Sequence, residues 1–307
     1  MSQVLRYVCK RAAVFSDIHS NYYAFKACVE DAKTQGADCF IFLGDYVSGL
    51  ANTEQTMDLV YELQNNYPVV CIRGNRERSM LEHHNGISVF KRGSHSGSYF
   101  FTYERLREKD FGFFSQLPIS TTIEMNGIFL EIAHATAKND RHYFEDSDAC
   151  IQDIFQEMKT RYLLTGHSHK QYCCRREGKT IINPGSVGLP QGKDWQAQYA
   201  LLDLKDSDII CTFRQVVYDI ESVIREQFSS GLIACGRCWA ICDLYGAIEG
   251  KEYTKALLTK IYQRAECDKQ VFCDESFWDQ CITEMNISFA QEDVWKRFAQ
   301  MQHNQSK

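Results

Sequence analysis

An α/β fold followed by a helical extension is predicted by three features of this 307-residue sequence. Short apolar runs alternate with amphipathic stretches as far as Asn75, a β-rich region begins at Ile119, and helical periodicity alone remains after Asp219. The N-terminus leads directly into a strand. Residues 12–15 (Ala-Ala-Val-Phe) form an apolar run that stops at Ser16-Asp17. Tyr22, Phe25, Ala27, Val29 and Ala32 then mark a helix over 22–33. A second run, Cys39–Leu43, ends at Gly44-Asp45, and Met57, Leu59, Val60 and Leu63 mark a helix over 54–64. Pro68 introduces a third run, Val69–Arg73, ending at Gly74-Asn75. This is the pattern of parallel βαβ units buried on both faces. Residues 76–116 read as helix and loop. Ile119–Met125 and Ile128–Ala133 flank Asn126-Gly127, a strong hairpin signal. Further strands are predicted over 162–165, 179–182, 197–204 and 209–217. Helices follow near 220–229, 237–248, 252–265, 274–285 and 290–302, with a frayed tail from His303. A boundary near residue 220 divides a domain of residues 1–219 from an extension of residues 220–307.

Composition narrows the function classes. Hydrophobic residues make up 44% and charged residues 24%, the balance of an ordinary globular protein. The net charge of −6 lacks long runs of one sign, so general nucleic-acid binding is not predicted. A local positive site stays open, because bound cations are not counted in that charge. Fourteen cysteines would suggest disulfides in a small secreted chain. Here Met1–Tyr7 contains no long apolar core, and reduced, mostly buried thiols in a cytoplasmic protein are expected. The apolar stretch Gly231–Gly250 is broken by Arg237, Asp243 and Glu249, which makes it a poor membrane span. Cys235-Gly-Arg-Cys238 has no matching second pair at zinc spacing and reads as core thiols. Trp195 and Trp239 read as core or interface residues rather than substrate stackers.

Short polar motifs follow the predicted strands: Asp17-Ile18-His19, Gly44-Asp45, Gly74-Asn75, His134 and Gly166-His167-Ser168-His169. Ligands of open α/β sheets bind beyond the carboxyl ends of the strands, so these motifs are expected to converge. Together they supply two carboxylates, one carboxamide and four imidazoles. A nitrogen and oxygen set without thiolates suits Mn, Fe, Zn, Co or Ni. Seven groups are too many for one ion but divide between two if one carboxylate bridges. Two divalent ions, two Asp and a hydroxide leave roughly one net positive charge, which attracts a phosphate anion. Each motif alone is weak; the ordered set is specific.

That ordered set resembles the calcineurin-like metallophosphoesterase superfamily. It is most similar to the small bacterial and archaeal members, which also carry the Ser-Asp-Ile-His-Ser-Asn and Asn-Pro-Gly-Ser-Val-Gly segments found here at Ser16–Asn21 and Asn183–Gly188. The resemblance covers residues 8–218 and leaves the helical extension outside. It implies a four-layer α/β/β/α sandwich. It also implies that Asp17, His19, Asp45 and His169 hold one metal, and that Asp45 bridges to a second held by Asn75, His134 and His167. Manganese is the expected metal, with Fe, Zn, Ni, Co or Mg as alternatives. The expected reaction is in-line hydrolysis of a small phosphoester by a metal-bridging hydroxide.

Two departures from the family pattern bear on substrate. Many phosphomonoesterases of the superfamily have His after Gly-Asn, whereas this chain has Arg76-Glu77. Arginine cannot surrender its proton, so Arg76 either clamps a phosphate oxygen or pairs with Glu77. The proton donor is then His169, another residue or water. Gly44-Asp45-Tyr46-Val47-Ser48-Gly49 lacks the phosphate-contacting Arg of the protein Ser/Thr phosphatases. Both departures favour phosphodiesters or activated esters. Asp45, Asn75, Arg76 and His169 are the expected catalytic residues, and Asn21, Arg76 and His95 the expected substrate contacts, with Asn21 also a plausible helix cap and His95 more in keeping with an exposed loop. Arg141, His142 and Tyr143 either line the pocket or lie in a solvated loop. The Gly185–Gly188 turn is expected to support neighbouring loops. The competing readings are a non-catalytic metal-binding interaction scaffold, on the fold that serves a retromer subunit, and a nuclease of the same superfamily. The helical extension is left with three roles: covering the site, packing on the sandwich, or mediating a homo-oligomer.

Overall fold

The computed structural model describes residues 4–192, 195–205, 208–265, 272 and 274–305. Chain order begins β1 (Leu5–Tyr7), β2 (Arg11–Phe15), α1 (Tyr22–Thr34), β3 (Cys39–Phe42), α2 (Thr53–Asn66) and β4 (Val69–Cys71), the predicted alternation. Three helices follow, α3 (Asn75–His84), α4 (Gly97–Tyr103) and α5 (Glu108–Gln116), then the hairpin of β5 (Ser120–Met125) and β6 (Ile128–Ala133). Asn126 and Gly127 both take positive φ, +50° and +81°, as a tight two-residue turn requires. Next come α6 (Ile151–Glu157), β7 (Tyr162–Leu164), β8 (Gln171–Arg176), β9 (Lys179–Pro184), β10 (Ala197–Lys205) and β11 (Asp208–Val216). The extension comprises α7 (Ile220–Ser229), α8 (Leu232–Glu249), α9 (Tyr253–Ala265), α10 (Glu275–Glu284) and α11 (Gln291–Gln305).

The strands form two sheets, ordered β11-β10-β2-β3-β4 and β1-β5-β6-β7-β9-β8. β2, β3 and β4 are parallel, and β10 returns from far along the chain to pair antiparallel with β2, Ala200 opposite Val14. Three apolar clusters fill the spaces between four layers. Val14, Ile41, Val70, Leu130, Leu164 and Leu202 lie between the sheets. Phe15, Phe25, Phe40, Phe42, Val60 and Ile224 lie between the first sheet and its helices. Ile151, Phe155, Leu163 and Ile181 join α6 to the second sheet. Side chains alternate across each strand, so Phe15 and Val14 serve opposite interfaces. The result is the expected α/β/β/α sandwich.

The extension shares the helix-side cluster, to which Ile220, Val223, Leu244, Ile248 and Trp278 contribute. Four elements differ from expectation. α6 and β8 were not anticipated: α6 has only seven residues, and β8 is an edge strand with mostly polar, partly exposed side chains. α8 starts at Leu232 rather than 237 and is broken at Arg237, whose φ of 42° and ψ of −118° interrupt the helix. The end of the chain is helical to Gln305 rather than frayed from His303, and Ser306 and Lys307 lie outside the described residues. All described cysteines are free, and Cys235 and Cys238 are buried. Cys238 lies close to Glu275 and Asp279, but Arg237 donates to both carboxylates at 2.8 Å.

Candidate metal centre

Parallel strands that end level deliver the residues after them to one edge. Phe15 is paired with Phe42, Phe42 with Cys71, and Ile132 with Leu164. Asp17, Asp45, Asn75, His134 and His167 therefore emerge together. The loops then turn sharply: Asp17, His19, Asp45, His167 and His169 all have φ between 51° and 64°. Left-handed backbone is unusual for residues other than glycine and concentrates at functional sites. Direct bonds lock the loops, Asp17 N–H to Gly44 O (3.1 Å) and His19 N–H to Asp45 O (3.0 Å). Two glycines make the approach possible. A Cβ on Gly44 would overlap the Gly74 backbone, and one on Gly74 would overlap the Asp45 carboxylate.

Glu77 ties the same loops from below. Its Oε2 accepts from Asp45 N–H (2.9 Å) and Gly74 N–H (2.8 Å), and its Oε1 from Tyr46 N–H (2.8 Å). It is fully buried and bonds these backbone amides, so the pairing with Arg76 that was weighed from the sequence is not the one adopted. The Asn183–Gly188 segment buttresses the other side, with Asn183 Nδ2 donating to Gly166 O and Ser186 Oγ to Asp17 O, both at 2.7 Å.

All seven sequence-predicted ligands meet at this edge. Asp17, His19 and His169 form one group and Asp45, His134 and His167 another, each with donor atoms within 4.8 Å of one another. Asp45 Oδ2 stands between them, 3.9 Å from His19 Nε2 and 3.5 Å from His134 Nε2. Asn75 Oδ1 is 3.1 Å from His134 Nε2. Three rings are oriented by backbone carbonyls: His19 Nδ1 to Ser48 O (3.0 Å), His134 Nδ1 to Leu43 O (2.8 Å) and His169 Nδ1 to Leu189 O (2.9 Å). A carbonyl only accepts, so each Nδ1 carries hydrogen and each Nε2 faces inward, the tautomer that metal-ligating histidines need.

The donor set fits divalent cations. Asp17 Oδ2 accepts from Ser16 Oγ and the His167 amide, while Oδ1 is buried with no hydrogen-bond partner and lies 3.3 Å from His169 Nε2. His19 Nε2 and His169 Nε2 face each other at 3.1 Å. Burial alone would raise the Asp17 carboxyl, but His169, His19 and His134 hold it well below the usual range. Burial lowers His134, yet Asp45 and then Asp17 outweigh it and push that imidazole up to about 10. Burial, reinforced by His134, takes His167 down to about 3. The carboxylates thus demand nearby positive charge, which protons supply on some rings and divalent cations would supply in their place. Saturating Mn²⁺ is expected to stabilise chelator-stripped protein by about 2.7 kcal/mol per site at a free concentration 100-fold above Kd. Thermal melting checks this, and melting curves that ignore Mn²⁺, Zn²⁺, Co²⁺ and Ni²⁺ alike would count against a metal centre.

Beside the cluster opens a cavity of about 630 Å³, and α8, α9 and the turn between them supply one wall through Trp239, Asp243, Lys255 and Tyr262. Arg76 also lines it. Its guanidinium bonds the Tyr99 hydroxyl, sits 5.1 Å and 5.8 Å from the Tyr99 and Trp239 ring centroids, and places Nε 3.7 Å from Asp45 Oδ2. Arg141 and Tyr143 also line the cavity.

Two expected substrate contacts stand elsewhere. Asn21 is fully buried and caps α1: its Oδ1 accepts from Ala24 N–H, and its Nδ2 donates to Gly188 O and the Tyr218 hydroxyl. No polar atom of its side chain remains for a ligand. His95 is exposed, near Phe272 and Trp278 of the extension, and is absent from the cavity lining. Sequence reasoning missed Tyr99, Gln191, Asp243 and the pocket role of Trp239.

Residues 11–207 match the family model of the calcineurin-like phosphoesterase superfamily domain. The chain belongs to this superfamily. An uncharacterized protein of Methanocaldococcus jannaschii is 27% identical over 233 residues, covering 68% of this chain and 88% of the relative. A hypothetical protein of Pyrococcus horikoshii has a similar fold at TM-score 0.67 and 16% identity, over 80% of this chain and 100% of that one. A metallophosphoesterase from Sphaerobacter thermophilus follows at TM-score 0.61 and 21% identity, over 78% and 100%. The sandwich and the candidate ligand set thus occur in a metallophosphoesterase superfamily member. Among the described residues, no helix is long and apolar enough to cross a membrane.

Proposed function

We propose that this protein is a binuclear, manganese-preferring phosphoesterase of small substrates, acting on phosphodiesters in preference to phosphomonoesters, in the cytoplasm. The observation that carries the reading is the pair of ligand groups that meet at Asp45, with an orphaned Asp17 oxygen, beside a cavity lined by Asp45, Asn75, His167, His169 and Arg76.

Two divalent cations, when bound, supply activation of water and neutralisation of phosphoryl charge. Asp17, His19, Asp45 and His169 would hold one, and Asp45, Asn75, His134 and His167 the other. The chain's own residues do the rest. Arg76, permanently charged and held by two aromatic rings, binds a non-bridging phosphoryl oxygen and fixes the ester's orientation. The carbonyl bonds to His19, His134 and His169 keep their Nε2 atoms aimed without reorganisation. The wall of α8 and α9 bounds the cavity on one side.

The diester preference is supported by what faces the cavity. His167 and His169 are its only lining imidazoles among the described residues, and both belong to the ligand set. With Arg76 where monoesterases carry His, no spare imidazole stands ready to protonate a poor leaving group. Elemental analysis of metal-replete protein, with parallel assays on bis(4-nitrophenyl) phosphate and 4-nitrophenyl phosphate, tests the reading. About two metals per chain are expected, with the diester turned over at least as fast as the monoester. Metal-loaded protein inert on both would end it. Arg76→Ala should lower kcat/KM by about 10- to 100-fold, and Arg76→Lys should recover only part, because an ammonium lacks the planar fork.

A further inference from the structure

The cavity wall contributed by the extension contains a carboxylate that nothing in the metal cluster requires. Asp243 is 4% exposed and lines the cavity from α8, on the face that also carries Trp239, Cys242 and Gly246. Its Oδ1 accepts from Thr254 Oγ1 at 2.6 Å, whereas Oδ2 is buried with no hydrogen-bond partner. A Cβ added to Gly49 would lie 3.5 Å from this Oδ2 and 3.4 Å from His19 Cβ, so the bare glycine leaves a gap between the carboxylate and the first ligand group. Burial pushes the Asp243 carboxyl up to about 6 against the lowering pull of Thr254, Arg76, His169 and Trp239.

Gln191 lines the same cavity from the other domain. It is 8% exposed, and its Nε2 is likewise buried and unpartnered. An orphaned acceptor and an orphaned donor thus stand around one cavity, each costing free energy until a ligand meets it. Hydroxyl groups donate and accept, and so a polyhydroxy ligand answers both. An ammonium group only donates and leaves Gln191 unmet.

We propose that Asp243 and Gln191 bind hydroxyls on the organic part of the phosphoester, so that this enzyme selects esters of polyhydroxy alcohols over their deoxy counterparts. This rests on the cavity being the phosphoester site. Arg76 holds the phosphoryl end there, while Asp243 and Gln191 read the alcohol end. Sites built to hydrogen-bond a hydroxyl reject analogues lacking it, because their own buried groups stay unpaired. Selectivity is then shared between Asp243 of the extension and Gln191 of the sandwich, and metal chemistry belongs to the sandwich.

Calorimetric titration of the manganese-loaded protein with non-hydrolysable phosphonates tests this without turnover. The probes are 3,4-dihydroxybutylphosphonate, butylphosphonate and 4-aminobutylphosphonate. The diol is expected to bind at least about tenfold tighter than the butyl compound, by the hydroxyl discrimination such sites show. In Asp243→Leu that ratio should fall to within about twofold, and Gln191→Leu should fall between, while both variants still bind butylphosphonate. Equal affinity for diol and butyl compounds in the native protein overturns the inference and leaves the phosphoester reading intact. So does a preference for the ammonium compound over the diol, or a diol preference that survives Asp243→Leu. Failure of every phosphonate to bind counts against the phosphoester site itself, and the inference falls with it.

Discussion

Asp45→Asn is expected to lower turnover by at least about a thousandfold, a loss of roughly 4 kcal/mol of transition-state stabilisation. The expectation follows from position. Asp45 Oδ2 stands between the two ligand groups, so an amide there weakens both half-sites at once. Its Oδ1 meanwhile accepts the Arg76 amide at 2.8 Å, a bond that the carbonyl of asparagine retains. The loop is thus expected to keep its conformation while metal content falls from about two per chain to one or fewer. Paired elemental analysis and diester assays, with circular dichroism as the folding control, check the result. A fully metal-loaded and active Asp45→Asn would remove Asp45 from the bridging position.

Glu77→Gln should strongly destabilise the protein, although it lies outside the ligand set. Oε1 accepts from Tyr46 N–H and Oε2 from Asp45 and Gly74 N–H, so whichever way glutamine turns, its NH₂ group faces backbone donors. At least one buried amide loses its acceptor, and donor meets donor. Losses of about 2–4 kcal/mol are expected from unsatisfied buried groups of this kind. Urea unfolding of the metal-free protein measures it, and a midpoint within error of the native protein would show that the loops hold without this carboxylate. Weakened metal affinity should accompany the loss, since Asp45 and Asn75 flank the segment that Glu77 anchors.

The sandwich was legible in the sequence because its strands are apolar runs ended by polar punctuation, and because Asn126-Gly127 admits few structures besides a hairpin. The ligands were legible for the same reason: each stands within a few residues of a strand end, where parallel pairing carries them to one edge. The cavity was not. Tyr99, Asp243 and Gln191 come from a short helix, a buried helix and a loop, and no spacing rule relates them to the ligand motifs. Asp243 did leave a trace, as a charge interrupting the apolar stretch from Gly231 to Gly250. It served there to argue against a membrane span, when an acid within a buried helix also asks what it faces. Asn21 and His95 failed for an opposite reason: neither closeness to a ligand motif, for Asn21, nor a place in a Gly/Ser loop, for His95, turned the side chain toward the cavity. β8 and α6 escaped notice because an edge strand and a two-turn helix bury too little to imprint a clear period.

The return of β10 to the flank of β2 has a consequence for how the protein comes into being. Asp17 hangs from a strand whose second neighbour is made some 190 residues later, since Ala200 pairs with Val14. Contacts that distant form slowly and only after loop-closure entropy is met. During synthesis the first ligands therefore leave the ribosome before the strand that completes their sheet, and the site edge gains its flanking support only once β10 has been made.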